Sequence, residues 1–313
     1  MKWKLLAVLC LVPAVACNRG ASTSGSASAK PRIALVLKTL NNPFFNDMQR
    51  GAQKAADALG VELVVQAAER ETDVERQMQI VENLIQSGVK ALALTPSGSK
   101  EVVPAVVKAN RANIPVVIVD TRLDSAAAAE AGAKSASFIG SDNYDGGLTA
   151  AKFVVSATAG KANVAVLEGI PGHETGDSRI RGFKEGIAAT PGIKIVASQP
   201  ANWERDQGFN VFQNMLQAHP EIDTVFACND MMALGAIEAI RAAGKTGRIK
   251  VVGFDAVEDA RKAINDGTML ASVAQFPEDM GRSAIENAVK ALRGEPVQPD
   301  VKVRIELVTK GDK

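Results

Sequence analysis

Lys38, Asn42, Phe44 and Phe45 share one stretch, Lys38-Thr-Leu-Asn-Asn-Pro-Phe-Phe45, where an apolar run gives way to polar and aromatic side chains. Later in the chain a hydrogen-bonding residue repeatedly follows an apolar run. Asp120 follows Ile114-Pro-Val-Val-Ile-Val119, Asn229 follows Val225-Phe-Ala-Cys228, Asp255 follows residues 249–254, and Gln275 follows residues 270–274. Arg179 comes after the loop beyond residues 164–169, and Trp203 lies in Ser198-Gln-Pro-Ala-Asn-Trp-Glu-Arg205. Asp, Asn, Arg and Gln are planar and bind neighbouring hydroxyls in bidentate fashion, while Phe and Trp cover C–H faces. The combination suits a small polar ligand with an apolar face, and a sugar fits that description. Any single Asn or Asp at such a place could equally cap a helix. Lys38, Arg179 and Gln275 are not capping residues, so capping does not account for the set. Asp230 reads as the cap of its helix, which leaves Asn229 to face the ligand. Phe44 and Phe45 point about 100° apart on a helix, so at most one is expected in the core stripe.

Catalytic arrangements are sparse. Asp120, Glu168 and Asp255 could pair as glycosidase carboxylates, yet each serves equally well as a hydroxyl acceptor. The sequence holds no Ser-His-Asp or Cys-His arrangement, and its two histidines, His173 and His219, read as solvated loop residues without a metal partner. No G-x-G-x-x-G or P-loop pattern follows a strand. The residues point to a binder that is not an enzyme and uses no metal or cofactor.

Such residues need a scaffold that gathers strand ends. From Pro31 onward, apolar strands alternate with amphipathic helices. Strands are expected at 33–38, 61–66, 91–95, 116–120, 137–141, 164–169, 194–198, 224–229, 250–255 and 270–275. Within 72–87, Val74, Met78, Val81 and Ile85 form one stripe, and Thr72-x-x-Glu75 reads as a capping box. The helix over 230–243 ends at Gly244. Strict alternation implies parallel sheets with right-handed crossovers, which bind ligands beyond the carboxyl ends of their strands. So many strands exceed what one twisted sheet usually holds. The fold class is therefore α/β, as two Rossmann-like doubly wound lobes that divide near Ser141-Asp-Asn143 and face each other across a cleft.

A chain of 313 residues has room for two cores, and 46% apolar with 23% charged residues is ordinary for a globular protein. A net charge of +1 offers no attraction to nucleic acid or an acidic membrane surface. Lys2 and Lys4, the apolar run from Leu5 to Val12 and Pro13-Ala-Val-Ala-Cys17 read as a signal peptide over 1–16. Ala16-Cys17 resembles a bacterial lipobox with Cys17 as the lipidated residue; plain secretion is the alternative. Residues 17–30 then form a Ser/Ala/Gly-rich tether. Cys228 is left alone in the folded part and reads as a small buried hydrophobe.

Residues 32 to about 310 resemble the periplasmic sugar-binding proteins of the ribose/allose family, type I solute receptors of ABC importers. The resemblance rests on VLKTLNNPFF, IPVVIVD, SDNYDGG, SRIRGF, SQPANWER, FACNDMMALGA, VVGFD and VAQFP. It implies sugar contacts at Asn42, Phe44, Phe45, Asp120, Arg179, Trp203, Asn229, Asp255 and Gln275. It also implies a hinge of three segments, with lobe 1 over 31–141 and 276–304, and lobe 2 over 142–275 and 305–313. The implied partners are a monosaccharide and an ABC permease or membrane sensor protein, with no nucleic acid, for a monomer. A sugar-responsive repressor shares the fold but needs an N-terminal helix-turn-helix where this chain has an export signal. Lys38 stands where ribose receptors carry a small hydroxyl residue, and Thr121 where they carry arginine. Both features are closer to the allose-binding members. With 120 and 122 on one side of an extended segment, Arg122 either replaces part of the missing guanidinium or is a surface charge.

Overall fold

The structure is a computed structural model that describes residues 30–312. The expected signal peptide, Cys17 and all but the last residue of the tether lie outside the described residues.

Strands and helices alternate from β1 (Arg32–Thr39) through α1 (Pro43–Leu59), β2 (Glu62–Ala68), α2 (Val74–Gln86), β3 (Ala91–Leu94) and α3 (Val103–Arg111). They continue with β4 (Val116–Val119), α4 (Ser125–Ala131), β5 (Ser137–Ser141), α5 (Asn143–Ala157), β6 (Ala162–Glu168) and α6 (Glu174–Ile187). Next come β7 (Ile193–Pro200), α7 (Arg205–Ala218), β8 (Thr224–Ala227), α8 (Asp230–Ala242), β9 (Lys250–Asp255) and α9 (Glu258–Asp266). The chain closes with β10 (Ala271–Ala274), α10 (Pro277–Leu292), β11 (Asp300–Val303) and β12 (Glu306–Thr309).

These strands form two six-stranded sheets, ordered β11-β5-β4-β3-β1-β2 and β12-β10-β9-β8-β6-β7. All pairings are parallel except that of β12 with β10. The central strands are buried along their whole length, as in Val116–Val119 and Thr224–Ala227, which is why they read as continuous apolar runs. Each sheet with its helices makes a doubly wound lobe, and the order of strands reverses beside β1 in one lobe and β6 in the other. Ligands in such folds sit beyond the carboxyl ends near these reversals. The chain passes between the lobes after β5, after β10 and between β11 and β12.

All ten expected strands are present, and β11 and β12 were not anticipated. Both are four-residue edge strands with alternating exposure and charged members, Asp300-Val-Lys-Val303 and Glu306-Leu-Val-Thr309. Their apolar signal is too weak to read alone. The capping box at Thr72 does not form: Asp73 is the N-cap of α2 without a side-chain cap bond. Its carboxylate instead accepts from the Arg70 N–H at 3.0 Å, tying the turn before the helix. The buried stripe of α2 is Gln77, Ile80, Val81 and Leu84, rotated from the expected one because Gln77 is satisfied by Leu37 O, Thr95 O and the Ser97 N–H.

Three helix pairs cross at reciprocal glycines. A Cβ on Gly147 of α5 would stand 2.2 Å from Arg179 O of α6, and one on Gly182 would stand 2.1 Å from Tyr144 O. Gly51 and Gly281 bring α1 against α10, and Gly208 and Gly235 bring α7 against α8, in the same way. Backbones can approach this closely only where no side chain intervenes.

Candidate functional site

Lys38 extends from the end of β1, and the chain turns at Asn42 into α1. Asn42 Oδ1 accepts from the Phe44 N–H at 3.1 Å, and Pro43 occupies the first helical turn, where a missing N–H costs nothing. This pins Phe44 and Phe45 at the cleft. Both are buried, contrary to the expectation that at most one would be, and their rings meet edge to face at 5.3 Å. The second lobe covers the side a single lobe would leave open: Phe44 lines a groove with Asp255, Ala256 and Val257.

Asp120, just after β4, and Asp255, the last residue of β9, have left-handed backbone, with φ of 64° and 108°. Such conformations are unfavourable for residues with a side chain and persist where surroundings enforce them. Around Asp255 the enforcing groups are Asp230 and Ser272. Asp230 accepts from the Val257 N–H at 2.9 Å and from Ser272 Oγ at 2.7 Å, and Ser272 Oγ accepts from the Ala256 N–H at 3.0 Å. Asp230 is therefore not the cap of α8. Asn229 is: its Oδ1 accepts from the Met232 N–H at 2.9 Å, while its Nδ2 donates to Trp203 O at 3.0 Å. One side chain thus caps the helix and holds a wall of the cleft.

All ten expected residues, Lys38, Asn42, Phe44, Phe45, Asp120, Arg179, Trp203, Asn229, Asp255 and Gln275, line one narrow cavity between the lobes. Glu71 and Thr175 line it as well. Lys38 Nζ donates to Asp120 Oδ2 at 3.0 Å. Arg179 donates through Nε to Asn143 Oδ1 at 2.9 Å and through Nη1 to Cys228 O at 2.5 Å, and it stands 3.7 Å from Asp255 Oδ1. Its guanidinium lies 3.7 Å from the Phe254 ring centroid, a cation–π contact that fixes its plane. Gln275 Nε2 donates to Asp255 Oδ1 at 2.8 Å. Trp203 sits against Gly169 and Gly176, where any Cβ would meet its ring. Trp203 Nε1 and Gln275 Oε1 are buried and have no hydrogen-bond partner among the described residues, which leaves their polar capacity open to a ligand.

Burial raises Asp120, but Lys38 and Arg179 outweigh it and hold the carboxyl below its ordinary value. Burial pushes Asp255 up to about 6 against the pull of Arg179 and Gln275. Glu71 is pushed up to about 7, again by burial, against Lys38 and Asn42. Cys228 is fully buried and pushed up to about 12 by desolvation, an inert thiol beneath Arg179.

The lobes touch at several points around the cavity. Thr121 Oγ1 meets Thr175 Oγ1 at 3.0 Å, His173 Nε2 meets Pro96 O at 3.2 Å, and Arg70 binds Glu204 at the rim. His173 is thus not a solvated residue. It is 1% exposed, and burial together with Lys38 pulls its pKa down to about 3, so it is neutral. His219 is on the surface beside Glu221. The turn at Asp120 also removes the extended geometry expected of 120–122. Thr121 points to the lobe contact, while Arg122 pairs with Asp300 at 2.7 Å and covers the Phe138 ring as a surface charge. Glu168 bonds Ser198 and is not among the residues lining the cavity.

Residues 33–296 match the family model of the periplasmic binding protein domain. The chain belongs to that family. It is 42% identical over 310 residues to the ribose import binding protein of Escherichia coli (strain K12), covering 99% of this chain and 100% of that one. It is 37% identical over 281 residues, 90% of each chain, to the D-allose-binding periplasmic protein of the same organism. Among solved structures, an ABC transporter periplasmic solute binding protein from Actinobacillus succinogenes 130z with bound D-allose is 40% identical. It aligns with a TM-score of 0.84 over 90% of this chain and 98% of that one.

Within this periplasmic binding protein, Glu71 and Thr175 are the lining residues that the sequence did not disclose. Glu71 lies three residues past the end of β2, which itself runs two residues beyond its expected end, so no strand-end signal marks it. Thr175 is the second residue of α6, a position that carries no strand-end signal.

Proposed function

We propose that the protein is an extracytoplasmic solute receptor that captures a monosaccharide between its lobes and delivers it to an ABC importer without chemical change. What carries this reading is one site between the lobes lined by planar hydrogen-bonding groups and aromatic rings from both of them. Carboxylates held by their own cations, as Asp120 is by Lys38, are acceptors for hydroxyls. The relatives named above are binding proteins, which supports a role without turnover.

The preferred ligand is a hexose such as allose, or a close epimer, over ribose. Lys38 places an ammonium beside Asp120 inside the cavity, and no arginine follows Asp120 in the site. A closed site leaves its own donors unpaired when a hydroxyl is missing or misplaced, so discrimination should be strong. In a thermal-shift screen of aldopentoses, aldohexoses, ketoses and sugar alcohols, allose or an epimer should raise the midpoint most. A shift with ribose and none with allose would reject this reading of Lys38 and Thr121.

The mature chain is proposed to be anchored at the cell envelope through a lipid on Cys17, with residues up to Lys30 as a tether. Cys17→Ser should move the protein from the membrane fraction to the soluble fraction. Wild-type protein that is already soluble, with an unmodified N-terminal Cys17, would instead establish plain secretion.

A further inference from the structure

The cavity contains one carboxyl more than its cations balance. Lys38 and Arg179 face Asp120, Asp255 and Glu71. Lys38 donates to Asp120 at 3.0 Å but is 3.9 Å from Glu71, beyond hydrogen-bonding distance, and Arg179 is beside Asp255. Glu71 is 5% exposed and accepts from the neutral Asn42 Nδ2 at 3.1 Å through Oε1. Its second oxygen, Oε2, is the one turned toward Lys38. A buried carboxylate with one neutral donor, whose only near cation stands 3.9 Å away and is hydrogen-bonded to another carboxylate, is costly to ionise.

We propose that Glu71 is the neutral carboxyl of this site, that it donates its proton in a hydrogen bond to a ligand oxygen, and that closure on the ligand takes up one proton. The assignment rests on the monosaccharide reading and extends it to a residue with a role different from those of Asp120 and Asp255. An ionised carboxylate only accepts, whereas a protonated one also donates.

The groups facing Glu71 come from both lobes. Lys38 on β1, Asn42 before α1 and Asp120 after β4 belong to the first lobe. Asp255 after β9 approaches from the second, with Arg179 beside it and neutral His173 beyond. Burial is the largest influence, Lys38 and Asn42 oppose it, and Asp120 and Asp255 add to it. The covering by the second lobe and the repulsion of Asp255 are both withdrawn when the lobes part, so Glu71 returns toward its ordinary value of 4.5 in the open form. The closed form holds the proton more tightly than the open one. Affinity is therefore full below the open-form value, declines as pH rises toward about 7, and is level above it.

Calorimetry with D-allose and D-ribose, from pH 5 to 8 in buffers of different ionisation enthalpy, tests this. Wild type should take up close to one proton per sugar near pH 6 and lose up to about tenfold in affinity per pH unit between 5 and 7. Glu71→Gln keeps N–H donors but cannot titrate, so its uptake should fall by close to one proton per sugar, leaving only the smaller share that Asp255, pushed up to about 6, contributes. Glu71→Ala should bind more weakly than Glu71→Gln at pH 5. Binding by wild type without proton uptake would overturn the assignment alone. So would a Glu71→Gln variant that retains the full uptake, because Asp255 would then carry the proton. Absence of binding by either sugar, or by any other monosaccharide of the screen at any pH, would overturn the functional reading and the Glu71 assignment with it.

Discussion

Asp255→Ala should weaken monosaccharide binding about ten- to hundred-fold. Asp255 accepts from Gln275 at 2.8 Å and stands 3.7 Å from Arg179, in a cavity closed off by both lobes. A hydrogen bond to a charged group contributes about 1.5–3 kcal/mol, which corresponds to that range of affinities. The loss should appear in binding more than in folding. Arg179 keeps its bonds to Asn143 and Cys228 O, and Asp230 still holds the Val257 N–H. Calorimetry that returns near-native affinity for Asp255→Ala would take this carboxylate out of the ligand site.

Gly147→Ala should destabilise the protein by about 1–3 kcal/mol or more, the usual cost of forcing extra atoms into a packed contact. The new methyl would stand 2.2 Å from Arg179 O and 2.9 Å from Phe183 N, both backbone atoms of α6 that no rotamer change can move. Separating α5 from α6 also stretches the bond between Asn143 at the start of α5 and the guanidinium of Arg179. Stability and affinity should therefore fall together. Denaturant unfolding with and without sugar would measure both, and an unchanged midpoint would show that α5 can shift aside freely.

Much of this arrangement was readable because parallel sheets write their ligand edge into the sequence. Buried strands appear as apolar runs, and the first polar residue after each run faces the cleft, which is how Asp120, Asn229, Asp255 and Gln275 could be singled out. Residues placed by tertiary packing were harder. Glu71 stands in the charged run Glu69-Arg-Glu71, which carries no sign of burial, and only the longer β2 and the covering second lobe make it a buried group. His173 looked solvated because its loop is polar, yet the Pro96 carbonyl of the other lobe encloses it. At Asn229 and Asp230 only the cap of α8 differs from expectation: Asn229 both caps the helix and lines the cavity, while the Val257 N–H and Ser272 draw the Asp230 carboxyl inward. Lys38 and the aromatics were plain from local chemistry alone.

The returns of the chain at its end bear on the order in which it can fold. Helix α10 packs on α1 and on strands of the first sheet, and β11 and β12 complete the two sheet edges with residues 300–309. As the chain emerges from the ribosome, its first 141 residues hold five of the six strands of sheet one but lack the helix that covers part of it. The part of that apolar face under α10 stays uncovered until residue 292 has been made, so the N-terminal lobe completes its core only late in synthesis. Both sheets receive their last strand only within residues 300–309, so neither lobe has its full set of strands until the chain is almost finished.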